Sequence, residues 1–213
     1  MTETQAEAIP VAGLLLAAGG GRRLGGHPKA LLEHRGRPLV EHAARALREG
    51  GCAPVYVVLG AAAPDVRARC GSSGLRDCVL VDNPDWAEGM GTSLRVGLAA
   101  VATSDAPAVL VGLVDQPRVG ARAVARILAA HRAGAQLAAA SYAGERGHPV
   151  LFGREHWAAV AETAEGDRGA RAYLRAHAAE LTLVECADVA APDDVDAPED
   201  LRLLDRRRHA TSH

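Results

Sequence analysis

Residue types that bind phosphate are concentrated in one short stretch near the beginning of the chain. An apolar run over residues 11–16 is followed by three consecutive glycines, residues 19–21, and Arg22 and Arg23 come directly after them. Glycine adopts positive φ angles easily, and a backbone that bends in this way turns successive N–H groups towards an anion. Arginine adds charge-assisted hydrogen bonds to phosphate oxygens. The stretch therefore predicts a loop that binds the polyphosphate of a nucleotide, with a flexible surface turn as the alternative.

Lys29 is the last charged residue of this loop. The chain has 24 lysines and arginines, and Lys29 is the only lysine. Its ammonium is a compact charge on a flexible stem, which arginine does not reproduce. Leu24 stands where a dinucleotide-binding loop has its third glycine, and no Gly-Lys-Ser/Thr sequence follows the glycines, so two common phosphate motifs are excluded. The residues predicted to bind nucleotide in this loop are Leu16, Ala17, Ala18, Gly19, Gly20, Gly21, Arg22, Arg23 and Lys29.

Asp115 is the second feature with clear chemistry. It directly follows the most apolar run of the chain, residues 108–114. A carboxylate beside bound phosphates suits Mg²⁺, which takes one or two carboxylates together with phosphate oxygens. The alternative is that Asp115 caps the helix predicted from Arg122. Asp115 is thus a candidate metal ligand next to the loop.

Segments typical of strands and of helices alternate along the chain. Short apolar runs predict strands, and apolar residues at helical spacing predict helices. Strands are predicted near residues 11–16, 54–59, 77–81, 108–114, 136–142 and 181–186. Helices are predicted near residues 38–49, 64–70, 90–101, 122–131, 155–163 and 169–177, with a last one after residue 201. The sequence Gly147-His148-Pro149 favours an exposed, shaped loop, since proline lacks a backbone donor.

This alternation predicts an α/β fold with a mostly parallel central sheet covered by helices on both faces. In such sheets, ligands bind beyond the carboxyl ends of the strands. The glycine loop, Asn83, the turn at residues 89–91 and Asp115 all follow predicted strands. We therefore expect all four to lie at one edge of the sheet.

Composition argues against several classes of function. The 213 residues carry a formal net charge of −2 and 3% aromatic residues, so neither a basic surface nor stacking platforms for nucleic acid are expected. No apolar stretch approaches the roughly 18 residues of a membrane span. The four cysteines include no Cys-x-x-Cys pair, which is typical of reduced thiols. We expect a cytoplasmic protein with one domain over residues 10–205, a disordered leader over residues 1–9 and a disordered tail over residues 206–213.

Six motifs occur in order between about residues 11 and 204. They are Leu16-Ala17-Ala18-Gly19-x-x-x-Arg23-x-Gly25 with Pro28-Lys29, Asn83-Pro84-x-Trp86-x-Glu88-Gly89-Met90-Gly91-x-Ser93-Leu94, Asp115-Gln116-Pro117, Gly147-His148-Pro149-Val150-Leu151-Phe152, Gly166-Asp167-x-Gly169-Ala170-Arg171, and Asp196-x-Pro198-Glu199-Asp200-Leu201. Together they resemble the molybdenum cofactor nucleotidyltransferases, and within that family the cytidylyltransferase branch. Each motif alone is a weak signal, whereas six in the same order are specific.

The resemblance implies a fold and a set of site residues. The fold is a Rossmann-like three-layer sandwich of the nucleotidyltransferase, glycosyltransferase-A-like type. Arg23, Lys29 and Asp115 would be catalytic, and Asp115 and Asp196 would hold Mg²⁺, with Mn²⁺ as an alternative. Asp193 and Asp194 are neighbours that could take the place of Asp196. Further nucleotide contacts are implied for Asn83, Gly91 and Ser93, and acceptor contacts for Glu88, Met90, Gln116, His148, Asp167 and Arg171.

Some of these residues also have simpler interpretations. Asp167 and Arg171 are four residues apart, the spacing of a solvated ion pair on a helix. A lone histidine such as His148 is more often structural than functional. Both interpretations remain open beside the acceptor contacts that the resemblance implies.

The implied reaction is transfer of CMP from CTP to the phosphate of molybdopterin, with release of pyrophosphate. Ala18 favours CTP because the guanylyl branch has glycine there, whereas Arg37 before Pro38-Leu39 resembles the guanylyl branch and keeps GTP as an alternative. A sugar- or alcohol-phosphate nucleotidyltransferase and a non-catalytic nucleotide-binding chaperone for a molybdenum hydroxylase are two further candidate functions. The apo-form of such a hydroxylase is a further candidate partner, while nucleic acid and membranes are not.

Overall fold

The computed structural model describes residues 9–71 and 74–204. The leader predicted over residues 1–9 lies outside these ranges except for Ile9, and the tail predicted over residues 206–213 lies wholly outside them. The single domain predicted over residues 10–205 stays a prediction. Within the described ranges, no helix has the length and apolar character needed to span a membrane.

The six predicted strands and the first six predicted helices occur in order among the described residues, together with three strands that were not predicted. The strands are β1 (Ala12–Ala17), β2 (Glu33–His34), β3 (Arg37–Pro38), β4 (Val55–Leu59), β5 (Cys78–Asp82), β6 (Ala108–Leu113), β7 (Leu137–Tyr142), β8 (Glu145–Gly153) and β9 (Thr182–Glu185). The helices are α1 (Leu39–Glu49), α2 (Ala63–Cys70), α3 (Met90–Val101), α4 (Ala121–Arg132), α5 (Trp157–Thr163) and α6 (Arg171–Ala176). Short 3-10 turns occur at Arg22–Leu24, Lys29–Leu31, Trp86–Glu88, Arg154–His156, Gly166–Arg168 and Pro198–Leu203.

Seven of the strands form one sheet in the order β5-β4-β1-β6-β8-β7-β9. The four strands from β5 to β6 are parallel, and β9 is parallel to β7. The carboxyl ends of β1, β4, β5 and β6 therefore lie at the same edge, as the sequence predicts. The remaining two strands, β2 and β3, form a small hairpin of their own.

The sheet is covered on both faces, which gives the three-layer sandwich expected from the sequence. Strand β1 shows why: Leu15 packs with α1, α2 and α4 on one face, and Leu14 and Leu16 pack with α3, α5 and α6 on the other. Successive side chains of a strand point to opposite faces, so a strand buried on both faces is apolar throughout. All six residues of β1 are buried.

Strand β8 corrects the loop predicted for Gly147-His148-Pro149. This segment lies within an antiparallel strand that is inserted between β6 and β7. Val150 and Phe152 are buried and pair with β6, and Glu145 and Arg146 at the start of the strand pair with β7. Pro149 lies where the register between β7 and β8 shifts, a position that tolerates a missing backbone donor.

The last predicted helix is also different from expectation. The segment Pro198–Leu203 is a 3-10 turn and begins before residue 201. The Asp200 carboxylate accepts hydrogen bonds from the backbone N–H groups of Asp196 and Ala197, 3.1 and 2.9 Å away. This carboxylate and Pro198 in the first turn explain the earlier start.

Candidate active site

The glycine loop and Asp115 line one cleft of about 410 Å³ at the carboxyl edge of the parallel strands. We call it the loop cleft. Fourteen of the predicted site residues line this cleft. These are Leu16, Ala18, Gly19, Gly20, Gly21, Arg22, Arg23, Lys29, Glu88, Met90, Ser93, Asp115, Asp167 and Asp196.

The loop itself is shaped by left-handed glycines. Gly21 has φ 62°, and a Cβ atom there would lie 1.9 Å from the carbonyl oxygen of His27, so only glycine fits. The Gly21 carbonyl accepts hydrogen bonds from the N–H groups of Leu24 and Gly26, which folds the chain into a compact turn. Within the described ranges, the N–H groups of Gly19 and Gly20 have no protein partner. These two N–H groups are thus available to an anion in the loop cleft.

Lys29 lies between the two carboxylates predicted to hold a metal. Its Nζ donates to Asp115 Oδ2 at 2.7 Å and also to Asp196 Oδ1. Arg23 Nη1 approaches Asp196 Oδ2 from the exposed side at 3.8 Å. Burial alone would lower the pKa of Lys29, but the negative charges of Asp115 and Asp196 outweigh it and raise that pKa. Lys29 therefore stays positively charged next to the loop.

The carboxylate pair fits a hard divalent cation. Carboxylate oxygens suit Mg²⁺ and Mn²⁺, and Mg²⁺ commonly takes one or two carboxylates plus phosphate oxygens. Among residues 9–71 and 74–204, no cluster of three or more His, Cys, Asp or Glu side chains is arranged for a metal. A cation held by Asp115 and Asp196 would therefore need further oxygen ligands from bound phosphates.

Asp196 reaches the site because its segment runs alongside the turn after β6. The N–H of Val195 donates to the Asp115 carbonyl at 2.9 Å. On either side of this bond, Gln116 Nε2 donates to Asp194 Oδ1 at 2.8 Å, and Asp193 pairs with Arg118 at 2.7 Å. Of the three neighbouring aspartates, only Asp196 contacts Lys29 in the described residues. Asp196 is therefore the one of the three that lies beside Lys29 and Asp115, and its role as a metal ligand stays a prediction.

A second cleft of about 240 Å³ adjoins the first, and we call it the side cleft. It shares Leu16, Met90 and Leu113 with the loop cleft. Of the predicted acceptor contacts it contains Met90, Gln116, His148 and Arg171, whereas Glu88 and Asp167 lie in the loop cleft. Asp167 and Arg171 thus line different clefts, and no ion pair joins them within the described ranges.

The side cleft combines three arginines with a neutral histidine, the Gln116 amide and the Asp194 carboxylate. Arg146, Arg168 and Arg171 line it together with His148. Burial, with the charges of Arg171 and Arg146, lowers the pKa of His148 to about 4, so this imidazole is neutral near pH 7. Gln116 Oε1 is buried and has no hydrogen-bond partner within the described part of the chain. The cleft can therefore take an anionic molecule that also carries a hydrogen-bond donor.

Three predicted nucleotide contacts lie outside the loop cleft. The side chain of Asn83 is buried; its Nδ2 donates to Thr92 and Ser93 at 2.9 and 3.0 Å, and its Oδ1 accepts from the N–H of Asp85. Gly91 lets α3 approach Ala164, since a Cβ there would lie 2.9 Å from the Ala164 backbone. Ala17 packs on the opposite face of the sheet from Ala18. All three residues thus have structural contacts, and the nucleotide contacts predicted for them stay predictions.

Sequence reasoning assigned no site role to several side chains that the structure places in the clefts, among them Asp194, Trp86, Arg146 and Arg168. Asp194 was only an alternative to Asp196, yet it lines the side cleft and binds Gln116. Trp86 was quoted only as part of a motif, yet its ring lines the loop cleft against Gly20. For Trp86 the available signal was position, because it lies four residues after the end of β5, at the ligand-binding edge.

Comparison with known proteins identifies the family. The sequence matches the model of the MobA-like NTP transferase domain over residues 13–181. Nicotine blue oxidoreductase from Paenarthrobacter nicotinovorans is 44% identical over 202 residues, which cover 91% of this chain and 96% of that protein. Rv0371c from Mycobacterium tuberculosis H37Rv has a solved structure with 30% identity and a TM-score of 0.75, covering 93% of this chain and 98% of that one.

Two further solved structures bear on the metal and the fold. A manganese complex of Rv0371c from Mycobacterium tuberculosis is 29% identical with a TM-score of 0.71, covering 92% of this chain and 97% of that one. A CMP:2-keto-3-deoxy-manno-octonic acid synthetase complexed with CTP is 19% identical with a TM-score of 0.67, covering 91% and 96%. The latter shows that the fold is of nucleotidyltransferase type. Divalent metals are used by nucleotidyltransferases of this family, and the chain itself belongs to the family of MobA-like NTP transferase domains.

Proposed function

We propose that this nucleotidyltransferase moves CMP from CTP to the terminal phosphate of molybdopterin and releases pyrophosphate. The observation that carries the proposal is the cluster of Lys29, Asp115 and Asp196 at the glycine loop, next to a separate arginine-lined cleft. The loop cleft would take the nucleoside triphosphate, and the side cleft would take the anionic acceptor. The cytoplasmic location expected from the sequence stays a prediction.

The residues of the chain would act mainly by positioning and by charge. The attacking phosphate oxygen is already anionic, so no general base is required, and the barrier falls as charge on the phosphates is stabilised. Arg23, Lys29 and the N–H groups of Gly19 and Gly20 would stabilise the β- and γ-phosphates as pyrophosphate leaves. Mg²⁺, or Mn²⁺, bound by Asp115 and Asp196 would neutralise phosphate charge. Lys29 would keep the two carboxylates together in the absence of nucleotide.

Release of pyrophosphate across four nucleotides tests this function. The purified protein is incubated with ATP, GTP, CTP or UTP, each with and without molybdopterin and each with and without Mg²⁺. We expect release only when CTP, molybdopterin and the metal are all present. Equal activity with GTP and CTP, or no dependence on molybdopterin, would refute the assignment.

Base choice depends on Ala18 in this proposal. Ala18 is buried and lines the loop cleft, whereas Arg37, which resembles the guanylyl branch, lines a different cleft with His34 and His42. This difference in location supports Ala18, and not Arg37, as the residue that contacts the base.

The substitution Ala18→Gly is expected to reduce the preference for CTP over GTP by about tenfold, the usual effect of one methyl group on pocket selectivity. The measurement is kcat/KM for each nucleotide with molybdopterin as acceptor. An unchanged ratio of the two values would show that the Ala18 methyl does not select the base.

A second candidate function is a redox reaction. The observation that favours it is the 44% identity to nicotine blue oxidoreductase across 96% of that protein. This candidate is tested directly by incubating the protein with nicotine blue and NADH or NADPH. The loss of colour then measures the reduction of nicotine blue. Reduction that depends on the protein and continues without any nucleoside triphosphate would favour it over nucleotidyl transfer.

A further inference from the structure

We propose that the indole ring of Trp86 is the surface on which the nucleotide base stacks, an inference that rests on the proposed nucleotidyl transfer. Among the described residues that line the loop cleft, Trp86 alone is aromatic. It opens the short 3-10 turn after β5 and is half-buried. Part of the ring is therefore packed in the protein, and part is open to the cleft.

The packed part of Trp86 is held by two glycines. A Cβ atom on Gly60 would lie 2.6 Å from Trp86 Cβ and 2.7 Å from its Cγ. A Cβ atom on Gly20 would lie 3.0 Å from Cζ3 and 3.1 Å from Cη2 at the far side of the ring. Gly60 and Gly20 thus form a slot that the indole spans, with its six-membered ring against the glycine loop. Side chains at either position would displace the ring.

The backbone next to Trp86 is also tied to this arrangement. The N–H of Gly89 donates to the Trp86 carbonyl at 3.3 Å, and Arg22 Nη2 donates to the Ala87 carbonyl at 3.4 Å. The first bond closes the 3-10 turn itself, and the second links that turn to the glycine loop. A ring held in this way loses little conformational freedom when a ligand stacks on it.

The chemistry of the loop cleft separates the two parts of a nucleotide. Charged groups come from Arg23, Lys29, Asp115 and Asp196, and they suit phosphates and a cation. Apolar surface comes from Trp86 together with Leu16, Ala18 and Met90. A flat heterocycle is the part of a nucleotide that needs apolar surface, and an aromatic ring stacks on any base. Trp86 would therefore supply affinity for the base, and selectivity would come from elsewhere.

Comparing the affinity for whole nucleotides with the affinity for inorganic tripolyphosphate distinguishes two roles of Trp86. In one it stacks on the base, and in the other it only supports the glycine loop. Calorimetry with Mg²⁺ is carried out on the full chain, on Trp86→Leu and on Trp86→Phe. We expect Trp86→Leu to weaken CTP and GTP by about 5- to 150-fold and to change tripolyphosphate binding less than twofold. Trp86→Phe keeps an aromatic face and should retain most of the affinity for CTP.

A fluorescence measurement covers the case in which Trp86→Leu does not fold. The chain has two tryptophans, and Trp157 is buried with its Nε1 donating to the Phe152 carbonyl. In Trp157→Phe, the remaining indole reports on Trp86 alone. CTP should quench this emission, whereas tripolyphosphate should not.

Each remaining outcome counts against the inference in a recognisable way. Equal losses of CTP and tripolyphosphate in Trp86→Leu would mean that Trp86 only supports the loop. Unchanged CTP binding in that variant would mean that the base lies elsewhere. If the unmodified protein binds neither CTP nor tripolyphosphate, the proposed function itself fails, and the inference fails with it.

Discussion

Asp115→Asn is expected to lower the rate of pyrophosphate release by roughly 10³-fold or more while the protein still folds. Asp115 is one of the two carboxylates that contact Lys29, with Lys29 Nζ 2.7 Å from its Oδ2. An amide has the same shape but lacks the charge that holds a divalent cation beside phosphates. Loss of the cation's contribution raises the activation free energy by about 4 kcal/mol, which corresponds to a roughly 10³-fold lower rate. Turnover of CTP with molybdopterin and Mg²⁺ is the measurement.

Asp188→Asn is the matched control for this variant. Asp188 also pairs with a basic residue, Arg126, at 2.5 Å, but it lies outside both the loop cleft and the side cleft. It should keep near-normal turnover. Near-normal turnover of Asp115→Asn, with an unchanged circular dichroism spectrum, would remove Asp115 from the catalytic machinery.

Lys29→Met is expected to reduce turnover by about 10²- to 10³-fold and also to destabilise the fold. The substitution removes a positive charge that faces the phosphates, an effect of the size found for single transition-state donors. It also leaves the Asp115 and Asp196 carboxylates next to each other without their shared cation. Because Asp196 is 42% exposed and Asp115 is 19% exposed, we expect a loss of about 1–3 kcal/mol in the free energy of unfolding, less than for a fully buried pair.

Chemical denaturation without nucleotide measures this loss of stability. Arg126→Met removes the cation of the exposed pair with Asp188 and serves as the control, with little or no change expected in the free energy of unfolding. The contradicting result is a Lys29→Met variant whose free energy of unfolding and turnover both equal those of the unmodified protein. That result would show that the ammonium neither holds the carboxylates nor faces the phosphates.

Much of the fold could be predicted from local pattern. Strand β1 is apolar at every position because both of its faces are buried, and this continuous pattern identifies a central parallel strand. Strand β8 could not be recognised in the same way. Its first residues include Gly147 and Pro149, which resemble a loop, and only pairing with β6 and β7, distant in sequence, makes the segment a strand.

The charged residues of the site could be predicted because their order follows the strands. Asp115 and the glycine loop come after neighbouring parallel strands, so their meeting follows from topology alone. Asp196 was implied by resemblance, but its choice over Asp193 and Asp194 depends on the bond between Val195 and the Asp115 carbonyl. No local pattern encodes that contact.

Residues with polar side chains close to the site were harder to interpret. Asn83 follows β5 as a ligand-binding residue would, yet its amide is fully used by Thr92, Ser93 and the backbone of Asp85. Trp86, three residues later, is the reverse case. An aromatic residue in a motif resembles core packing, yet Trp86 lines the loop cleft. Which side chain turns inward depends on the 3-10 turn between β5 and α3, whose geometry is set by tertiary contacts.

The most direct measurement of the central proposal follows the α-phosphate of CTP. CTP labelled at the α-phosphorus is incubated with the protein, molybdopterin and Mg²⁺, and the products are separated and identified by mass. We predict that the label becomes covalently attached to molybdopterin, with one pyrophosphate released for each label transferred. Label that stays in CTP, or that appears as free CMP without attachment to molybdopterin, would contradict CMP transfer by this protein.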